Sequence, residues 1–324
     1  MGGDPPRTLN LPDSTMLANL IGRFLQGIFV LFVLFTVTFF LIKALPGGPF
    51  KSAEKAIPEH IRAKIEAYYG LDQPVQVQYF RQLKNLVQGD PGLSLRLEGR
   101  EVTEIISQAF PVSLRLGLAA MAIAMSIGIP LGVIAAWKKN TLMDYSAMAL
   151  AMVGICIPAF VVGPLLADQF GRRMNLLPAM GWDPTDPGSW LLPALTLGLA
   201  TAAYLSRLTR AGMLEILSQD YIRTAKAKGV GSFRMLIRHS LRGGIIPAVA
   251  FIGPAFAGII SGSVVIESVF AMPGLGLHFV KSIEVGDAPM ILGSVMLYGT
   301  LIIIANFLTD LLGLWLNPRL RASR

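Results

Sequence analysis

The chain has 324 residues, of which 53% are hydrophobic and only 15% are charged. Because soluble domains carry roughly a quarter of charged residues, this composition excludes an ordinary soluble protein and favours a chain solvated mainly by lipid. The net charge of +8 would suit a nucleic-acid partner, so the placement of the basic residues decides whether such a partner is needed.

Six long uncharged runs predict an all-α polytopic membrane protein with six transmembrane helices. A helix needs about 20 apolar residues to cross the hydrocarbon core of a bilayer. The fourth run is the shortest, and the uncharged residues 187–189 extend it. The runs are residues 24–42, 116–137, 145–167, 190–206, 243–266 and 288–309.

The first run divides the N-terminal part of the chain. Residues 1–23 precede a transmembrane helix at 24–42, and a long outer segment follows at 43–115. A secretory signal is the alternative, but the run exceeds the usual apolar core of about 7–15 residues and no small-x-small cleavage site follows it. We therefore expect an uncleaved helix, five further helices in a core domain at 116–315, and a tail at 316–324.

The segment 43–115 carries two amphipathic patterns. In the first, Pro58 suits an initial helical turn and Gly70 suits a helix end. In the second, large apolar residues between positions 79 and 87 precede a Gly-Asp-Pro-Gly turn at 89–92. Both helices could lie in the membrane interface, which stays open beside a role in binding an outer partner.

The basic residues predict the orientation of the chain. Eight Lys or Arg residues lie in the segment 207–242 and three in the tail, whereas the short opposite loops hold Arg172, Arg173 and Lys281. Short cytoplasmic loops carry an excess of Lys and Arg, and segments longer than about 60 residues do not count. Both termini and the segment 207–242 are therefore expected in the cytoplasm, and the positive charge requires no nucleic acid.

The predicted spans contain no Asp, Glu, Lys, Arg or His. Ion-coupled transporters usually bury such residues at membrane depth, so the sequence does not indicate an internal coupling site. Lys43, Arg115, Asp168 and Glu267 lie at span ends, where we expect their side chains to reach the headgroups.

Small polar residues are the remaining candidates for lining a pathway through the membrane. Ser261, Ser263 and Asn306 are of this kind. Helix packing is the commoner role of such residues in membranes, so both readings stay open.

Motifs of catalysis are missing from the sequence. There is no Gly-Lys dipeptide for a phosphate-binding P-loop, no His-x-x-x-His pair for zinc and no Gly-x-Ser-x-Gly nucleophile motif. We therefore expect neither an enzyme nor a resident cofactor or metal. If the chain moves cargo uphill, the energy has to come from another protein.

Residues 220–229, which read "DYIRTAKAKG", predict a short and positively charged helix. Asp220 suits the N-cap and Gly229 suits a left-handed helix end. A helix of about two turns is marginal alone, so another element has to hold it. The predicted packing face, at i, i+3 and i+4 spacing, is Tyr221, Thr224 and Ala225.

This helix has two interpretations. A solvated basic loop attracted to anionic lipid explains the charges. A helix that docks into a cytoplasmic partner also explains the small residues and the signals at both ends, and we prefer it.

Several ordered motifs resemble the peptide-transport branch of binding-protein-dependent ABC permeases. "RTAKAKG" at 223–229 is similar to the EAA loop of that family, although only Ala225 and Gly229 match the general Glu-Ala-Ala-x-x-x-Gly pattern. The chain is most similar to the B-type membrane subunit of oligopeptide permeases, and dipeptide and nickel permeases are close relatives. The other matching motifs are "LPGGPF" at 45–50, "IPEHIRAKIEAYYGLD" at 57–72, "GLDQPVQVQYFRQLKNLVQGDPGLSL" at 70–95, "IGIPLGVIAA" at 127–136, "RHSLRGGIIP" at 238–247, "ESVFAMPGLG" at 267–276 and "NPRLR" at 317–321.

The resemblance implies an ABC importer permease of type I in a bacterial inner membrane. Its partners would be a second homologous permease subunit, two ABC ATPase subunits that bind ATP and Mg²⁺, and an extracytoplasmic solute-binding protein. It would move peptides, oligopeptides before dipeptides, to the cytoplasm by alternating access. A channel that works without ATPases is the alternative from a different class.

The resemblance also assigns candidate site residues. A turn or gate on the outer side would include Glu267, Pro273, Gly274 and Gly276. The helix that couples to the ATPases would comprise Asp220, Tyr221, Arg223, Thr224, Ala225, Lys226, Ala227, Lys228 and Gly229.

Overall fold

The computed structural model describes residues 13–44, 69–70, 72–95, 97 and 100–316. Within these residues the structure is helical, with one isolated bridge between Leu93 and Glu101, and the predicted all-α class is confirmed. Two π-helical segments, Ala167–Arg173 and Met235–Ser240, adjoin the α-helices. The α-helices are α1 Asp13–Ala44, α2 Val75–Val87, α3 Val102–Trp137, α4 Leu142–Cys156, α5 Ala159–Leu166, α6 Gly188–Leu217, α7 Asp220–Ala227, α8 Ser232–Arg234, α9 Leu241–Gly244, α10 Ile246–Val269, α11 Leu275–Val285 and α12 Ala288–Leu316.

Some sequence predictions concern residues outside this description. The helix that starts at Pro58 and the motifs at 45–50 and 317–321 are among them. The second amphipathic pattern lies within the described residues and forms α2. Its Tyr79, Leu83 and Leu86 pack against buried residues of α1 and α12. This helix is therefore fastened to the bundle by its apolar face.

The number of single spans differs from the predicted six. Five helices are long and apolar enough to cross a membrane: Ile21–Ala44 of α1, all of α3, α6 and α10, and Ala288–Gly313 of α12. The third predicted run, residues 145–167, is broken, because α4 and the stretch Ala159–Arg173 meet at an angle of 101°. The two halves make a sixth span only when counted together.

Pro158 explains this break. The residue before a proline disfavours the helical conformation, and Ile157 is extended, with φ −89° and ψ 119°. Most prolines in membrane-spanning helices produce ordinary kinks, because neighbouring groups satisfy the freed backbone. At Pro158 the helix instead breaks.

Helix α3 begins well before the predicted run at 116. Its 36 residues extend over about 54 Å at 1.5 Å per residue. Arg115 interrupts the uncharged run but is exposed on the helix surface, and Glu104 pairs with Arg100 beside the first turns. The predicted run therefore started too late, because outward-facing charged residues lie in the first turns of α3.

The centre of the bundle is a close contact between α3 and α6. A Cβ added to Gly128 would lie 2.5 Å from the carbonyl oxygen of Ala202, and one on Gly132 would lie 2.4 Å from that of Ser206. A Cβ on Gly198 of α6 would lie 2.7 Å from the carbonyl oxygen of Ala120 on α3. Because small residues let helix backbones approach, these three glycines bring the middle of α3 and the middle of α6 into backbone contact.

Helix α1 lies at the edge of the bundle and packs against α12. Gly27 of α1 admits the side chain of Ile303, and Arg23 forms an ion pair with Asp310. Large apolar side chains of α1 such as Phe24 and Phe29 remain exposed, as expected of a helix that faces lipid or another membrane subunit.

The bundle has two ends, and the candidate functional residues lie at both. At one end, α7 follows α6, and the turn 138–141 between α3 and α4 lies beside α6. At the opposite end, the first half of α3 meets α10 and α11. We refer to them as the α7 end and the α11 end.

We expect Gly128→Ala to destabilise the bundle, because its methyl group would clash with a backbone carbonyl. Overpacking typically costs about 1–3 kcal/mol, so the apparent melting temperature in detergent should fall on the order of 5 °C. Gly258→Ala is the matched control, because Gly258 is exposed in α10 with no atom within 4 Å of an added Cβ. Equal melting temperatures for the two variants would contradict the proposed α3–α6 contact.

Candidate functional sites at the two ends of the bundle

The predicted charged helix exists as α7, and both of its ends are defined. It begins at Asp220, and Gln219 occupies the N-cap with φ −70° and ψ 149°. The expectation that Asp220 is the N-cap was therefore wrong: its carboxylate lies in the first turn, 3.5 Å from the guanidinium of Arg223. Gly229 has the predicted left-handed conformation, with φ +77°, and its N–H bonds to the carbonyl of Lys226.

One side of α7 is anchored to the protein, but not the side that the sequence spacing indicated. Ile222 is its buried residue, with 3% of its surface exposed, and Ala225 is half-buried. Tyr221 and Thr224 are exposed, so the face that they share with Ala225 is not what anchors the helix within this chain. Packing of that face against a partner stays a prediction. A single isoleucine in an otherwise polar segment gave no periodic signal that could have revealed the anchor.

The outward side of α7 is small, polar and basic. Thr224 Oγ1 donates to the carbonyl of Asp220 within the helix, and Tyr221 Oη donates to the carbonyl of His239 in the π-helical segment at 3.5 Å. The side chains of this side are otherwise exposed, and so it is available to a partner. The exposed residues are Asp220, Tyr221, Arg223, Thr224, Lys226, Ala227, Lys228 and Gly229.

The support beneath α7 is closely packed. Leu236 of the π-helical segment packs with Met213 of α6 and Ala136 of α3 in one buried cluster. A Cβ on Gly212 would lie 2.3 Å from the carbonyl oxygen of Gly244, so α9 also touches the backbone of α6. The position of α7 is therefore tied to the last turns of α6.

At the α11 end, Glu267 is fully buried. Its Oε1 accepts hydrogen bonds from Ser113 Oγ of α3 at 2.6 Å and from Ser263 Oγ at 3.0 Å. Its Oε2 accepts bonds from the N–H groups of Gly276 at 2.8 Å and Leu277 at 3.3 Å, in the first turn of α11. The expectation that Glu267 reaches the headgroups was wrong, because four donors satisfy its carboxylate inside the protein.

The glycines of the predicted outer turn make this burial possible. A Cβ on Gly274 would lie 2.4 Å from Cδ of Glu267, and one on Gly276 would lie 2.6 Å from Cα of Val264. Pro273, by contrast, is exposed. The structure therefore brings Glu267, Gly274 and Gly276 together, while Ser113, from a segment 154 residues earlier in the sequence, was missed.

The burial of Glu267 ties three elements together. The carboxylate on α10 lies at the N-terminus of α11, where the helix dipole favours a negative charge. Ser113 also accepts a bond from the N–H of Leu275 at 2.9 Å, so α3 contributes to the same helix end. Gly286, with φ +72°, closes α11 at its other end.

The three predicted pathway residues do not form one surface. Ser261 is exposed on α10, whereas Ser263 is buried and donates to Ile260 O and Glu267. Asn306 lies where α12 approaches Gly253, whose added Cβ would be 2.7 Å from Asn306 Oδ1. Their role in a pathway stays a prediction.

Comparison with known proteins identifies the family of the chain. The family described as binding-protein-dependent transport system inner membrane component matches residues 128–322, and the N-terminal family of the same systems matches residues 16–117. A dipeptide transport system permease protein, DppB of Bacillus subtilis, is 42% identical over 94% of this chain and 98% of its own length. An oligopeptide transport system permease protein, OppB of Haemophilus influenzae, is 41% identical over 94% of this chain and 100% of its own.

A solved structure supports the fold. An amino acid ABC transporter crystallised with histidines aligns with a TM-score of 0.50 over 65% of this chain and 94% of its own, at 17% identity. At that identity the likeness concerns the fold alone. It agrees with the predicted permease fold of an ABC importer.

We expect Glu267→Gln to loosen α11. The amide offers one oxygen where the carboxylate accepts from four donors, and bonds to charged groups contribute about 1.5–3 kcal/mol each. Backbone amides of α11 should therefore exchange with deuterium on the order of tenfold to a hundredfold faster. Glu284→Gln, on the exposed side of α11, is the control and should leave the exchange unchanged. Unchanged exchange in both variants would contradict the anchoring role of Glu267.

Proposed function

The chain belongs to the family of binding-protein-dependent transport system inner membrane components, and we propose that it is a permease subunit of an ATP-driven importer of peptides. The cargo follows from the relatives, which are dipeptide and oligopeptide permeases matched over nearly their whole length. Identities of 42% and 41% do not separate these two classes, so the proposal is for peptides in general.

The proposed complex supplies what this chain lacks. Two ABC ATPases would bind and hydrolyse ATP, a second permease subunit would complete the pathway, and a solute-binding protein would deliver the peptide. The absence of a P-loop motif from the sequence supports the first part, because the chain has no phosphate-binding loop of its own.

The exposed side of α7 is the observation that carries the proposal of an ATPase partner. Ile222 and the packed support at Leu236 and Gly212 hold the helix in place, while its small and basic side is uncovered. A short helix held on a rigid base suits mechanical coupling, because force on it reaches α6 without deforming the contact. The excess of Lys and Arg at this end supports its placement in the cytoplasm.

Two cavities between helices of the described chain support a shared pathway. A cavity of about 710 Å³ lies among α1, α2, α3 and α12, and another of about 380 Å³ lies among α3, α4, α5 and α6. Apolar side chains form most of both linings. A peptide carries many polar groups, so we place its path between this subunit and the second permease.

The turn at the α11 end is our candidate for an outer gate. Glu267, Gly274 and Gly276 hold the start of α11 against α3 and α10, so a relative movement of these two helices would alter the hold on α11. Alternating access then requires that the bound and free states of the ATPases favour different arrangements of the bundle.

The main rival is a channel that works without ATPases. It would let peptide equilibrate across liposomes that contain this chain alone. The importer requires all partners and ATP for uptake. Mass spectrometry of the peptides taken up from an isotope-labelled mixture of tripeptides to pentapeptides distinguishes the channel from the importer.

We expect Ala227→Glu to prevent docking of the ATPases. Ala227 is exposed on α7, so a longer and charged side chain would keep a partner from close approach without entering the bundle. Recovery of tagged ATPases with the permease pair should fall at least about tenfold, which corresponds to a loss of about 1.4 kcal/mol in binding. Gln88→Glu adds the same charge at an exposed position of the α11 end and is the control. Full recovery of the ATPases and normal peptide uptake with Ala227→Glu would overturn the docking role of α7.

A further inference from the structure

A buried ion pair fastens α4 to α6 near the α7 end. Arg210 donates from Nε to Asp144 Oδ1 at 2.6 Å and from Nη2 to Asp144 Oδ2 at 2.7 Å. Asp144 is 1% exposed and the Arg210 side chain is 26% exposed. Two parallel bonds from a planar guanidinium fix the relative position and the relative rotation of the two helices, which a single bond or an apolar contact does not do.

The turn before α4 holds the carboxylate in place. Asn140 has φ +61°, a left-handed conformation that few residues other than glycine adopt easily, and its N–H donates to Asp144 Oδ2 at 3.0 Å. Thr141 Oγ1 closes the same turn on the carbonyl of Lys138 at 2.6 Å. The carboxylate thus joins the end of α3, the start of α4 and the side of α6.

This junction lies on the way from α7 into the bundle. Arg210 is seven residues before the end of α6, about 10 Å along the helix axis. At the same level, a Cβ on Gly132 of α3 would lie 3.0 Å from the backbone nitrogen of Arg210. The last turns of α6 are therefore locked to α3 through backbone contact and to α4 through the ion pair.

Helix α4 continues toward the other candidate site. After the bend at Ile157 the chain runs into α5, where a Cβ on Gly163 would lie 3.2 Å from the ring of Phe270. The carbonyl of Phe270 also accepts a bond from the N–H of Gly181 at 2.8 Å. Phe270 follows Glu267 by three residues, so the broken span connects the ion pair with the turn that holds α11.

We propose that Asp144 and Arg210 are positioning residues that make α4 move as one body with α6 and α7. Through them, movement of α7 reaches the broken span α4–α5 and, by its contact with Phe270, the α11 end. The proposal rests on the proposed function and names the link by which that function works. Neither residue touches cargo or nucleotide.

The first test compares transport with ATP hydrolysis in the assembled importer. Asp144→Asn keeps the shape of the side chain and an acceptor for Asn140, but it weakens the bidentate pair. We expect the complex to assemble and to hydrolyse ATP at no less than half the rate of the unaltered protein, while peptide uptake per ATP falls at least fivefold. Arg210→Lys keeps the charge and loses the second bond, and it should give an intermediate ratio.

The control lies on the same broken span. Asp168→Asn removes an exposed ion pair with Arg173, and its uptake per ATP should equal that of the unaltered protein. An unchanged ratio for Asp144→Asn would overturn the link. Failure of Asp144→Asn to assemble would overturn it as well, because the pair would then serve folding alone. In both cases ATP-dependent uptake by the unaltered complex would leave the proposed function intact.

The second test measures the movement itself. Spin labels at Ser146 of α4 and at Ser218, which lies between α6 and α7 and outside the docking side of α7, are introduced after Cys156→Ser removes the natural thiol; both positions are exposed. In the unaltered junction the distance between labels should change by no more than about 2 Å between nucleotide-free and ATP-bound complexes, as within one rigid body. With Asp144→Asn the distance should differ between the two states or its distribution should widen. A large change without the substitution would overturn the proposal.

Discussion

The backbone contact between α3 and α6 is the constraint on which the rest of the structure depends. Lipid provides no hydrophobic force that drives helices together, so close packing has to hold the bundle. Gly128, Gly132 and Gly198 provide it by letting each backbone touch the other helix directly. Both candidate sites are then built outward from this pair: α7 continues from α6, and Ser113 of α3 reaches the cluster around Glu267.

Buried charge in the described helices is confined to the two ends of the bundle. Asp144 with Arg210 lies at one end and Glu267 at the other, and each joins elements that are not continuous in the chain. Between the ends, the helices meet through apolar and small side chains. This distribution follows from the cost of charge at membrane depth, which is lowest where backbone donors and partner side chains are concentrated at helix ends. Polar contacts at the two ends therefore set the orientation of the helices, whereas between the ends the helices are held by the shape complementarity of apolar and small side chains.

The sequence predicted those features that depend on local composition. Uncharged runs located the spans, and the glycine after a basic stretch located the end of α7, because both are properties of short segments. The bend at Ile157 was not predicted, because the two halves on either side of Pro158 together form one apolar stretch. The bond between Ser113 and Glu267 and the ion pair of Asp144 with Arg210 were not predicted. The two residues of the first contact are 154 positions apart in the sequence, and those of the second are 66 positions apart. Only the folded backbone brings such residues together.

Helix α3 gives these separate observations a common frame. It carries Ser113 near one end and Gly132 near the other, about 28 Å apart along a continuous helix. A continuous helix with a polar contact at Ser113 and a backbone contact at Gly132 does not tilt without disturbing both contacts. The contact of Ser113 with α11 and the contact of Gly132 with α6 are therefore not independent. The alternating access that we propose requires such a dependence, because both sites have to follow a single arrangement of the helices.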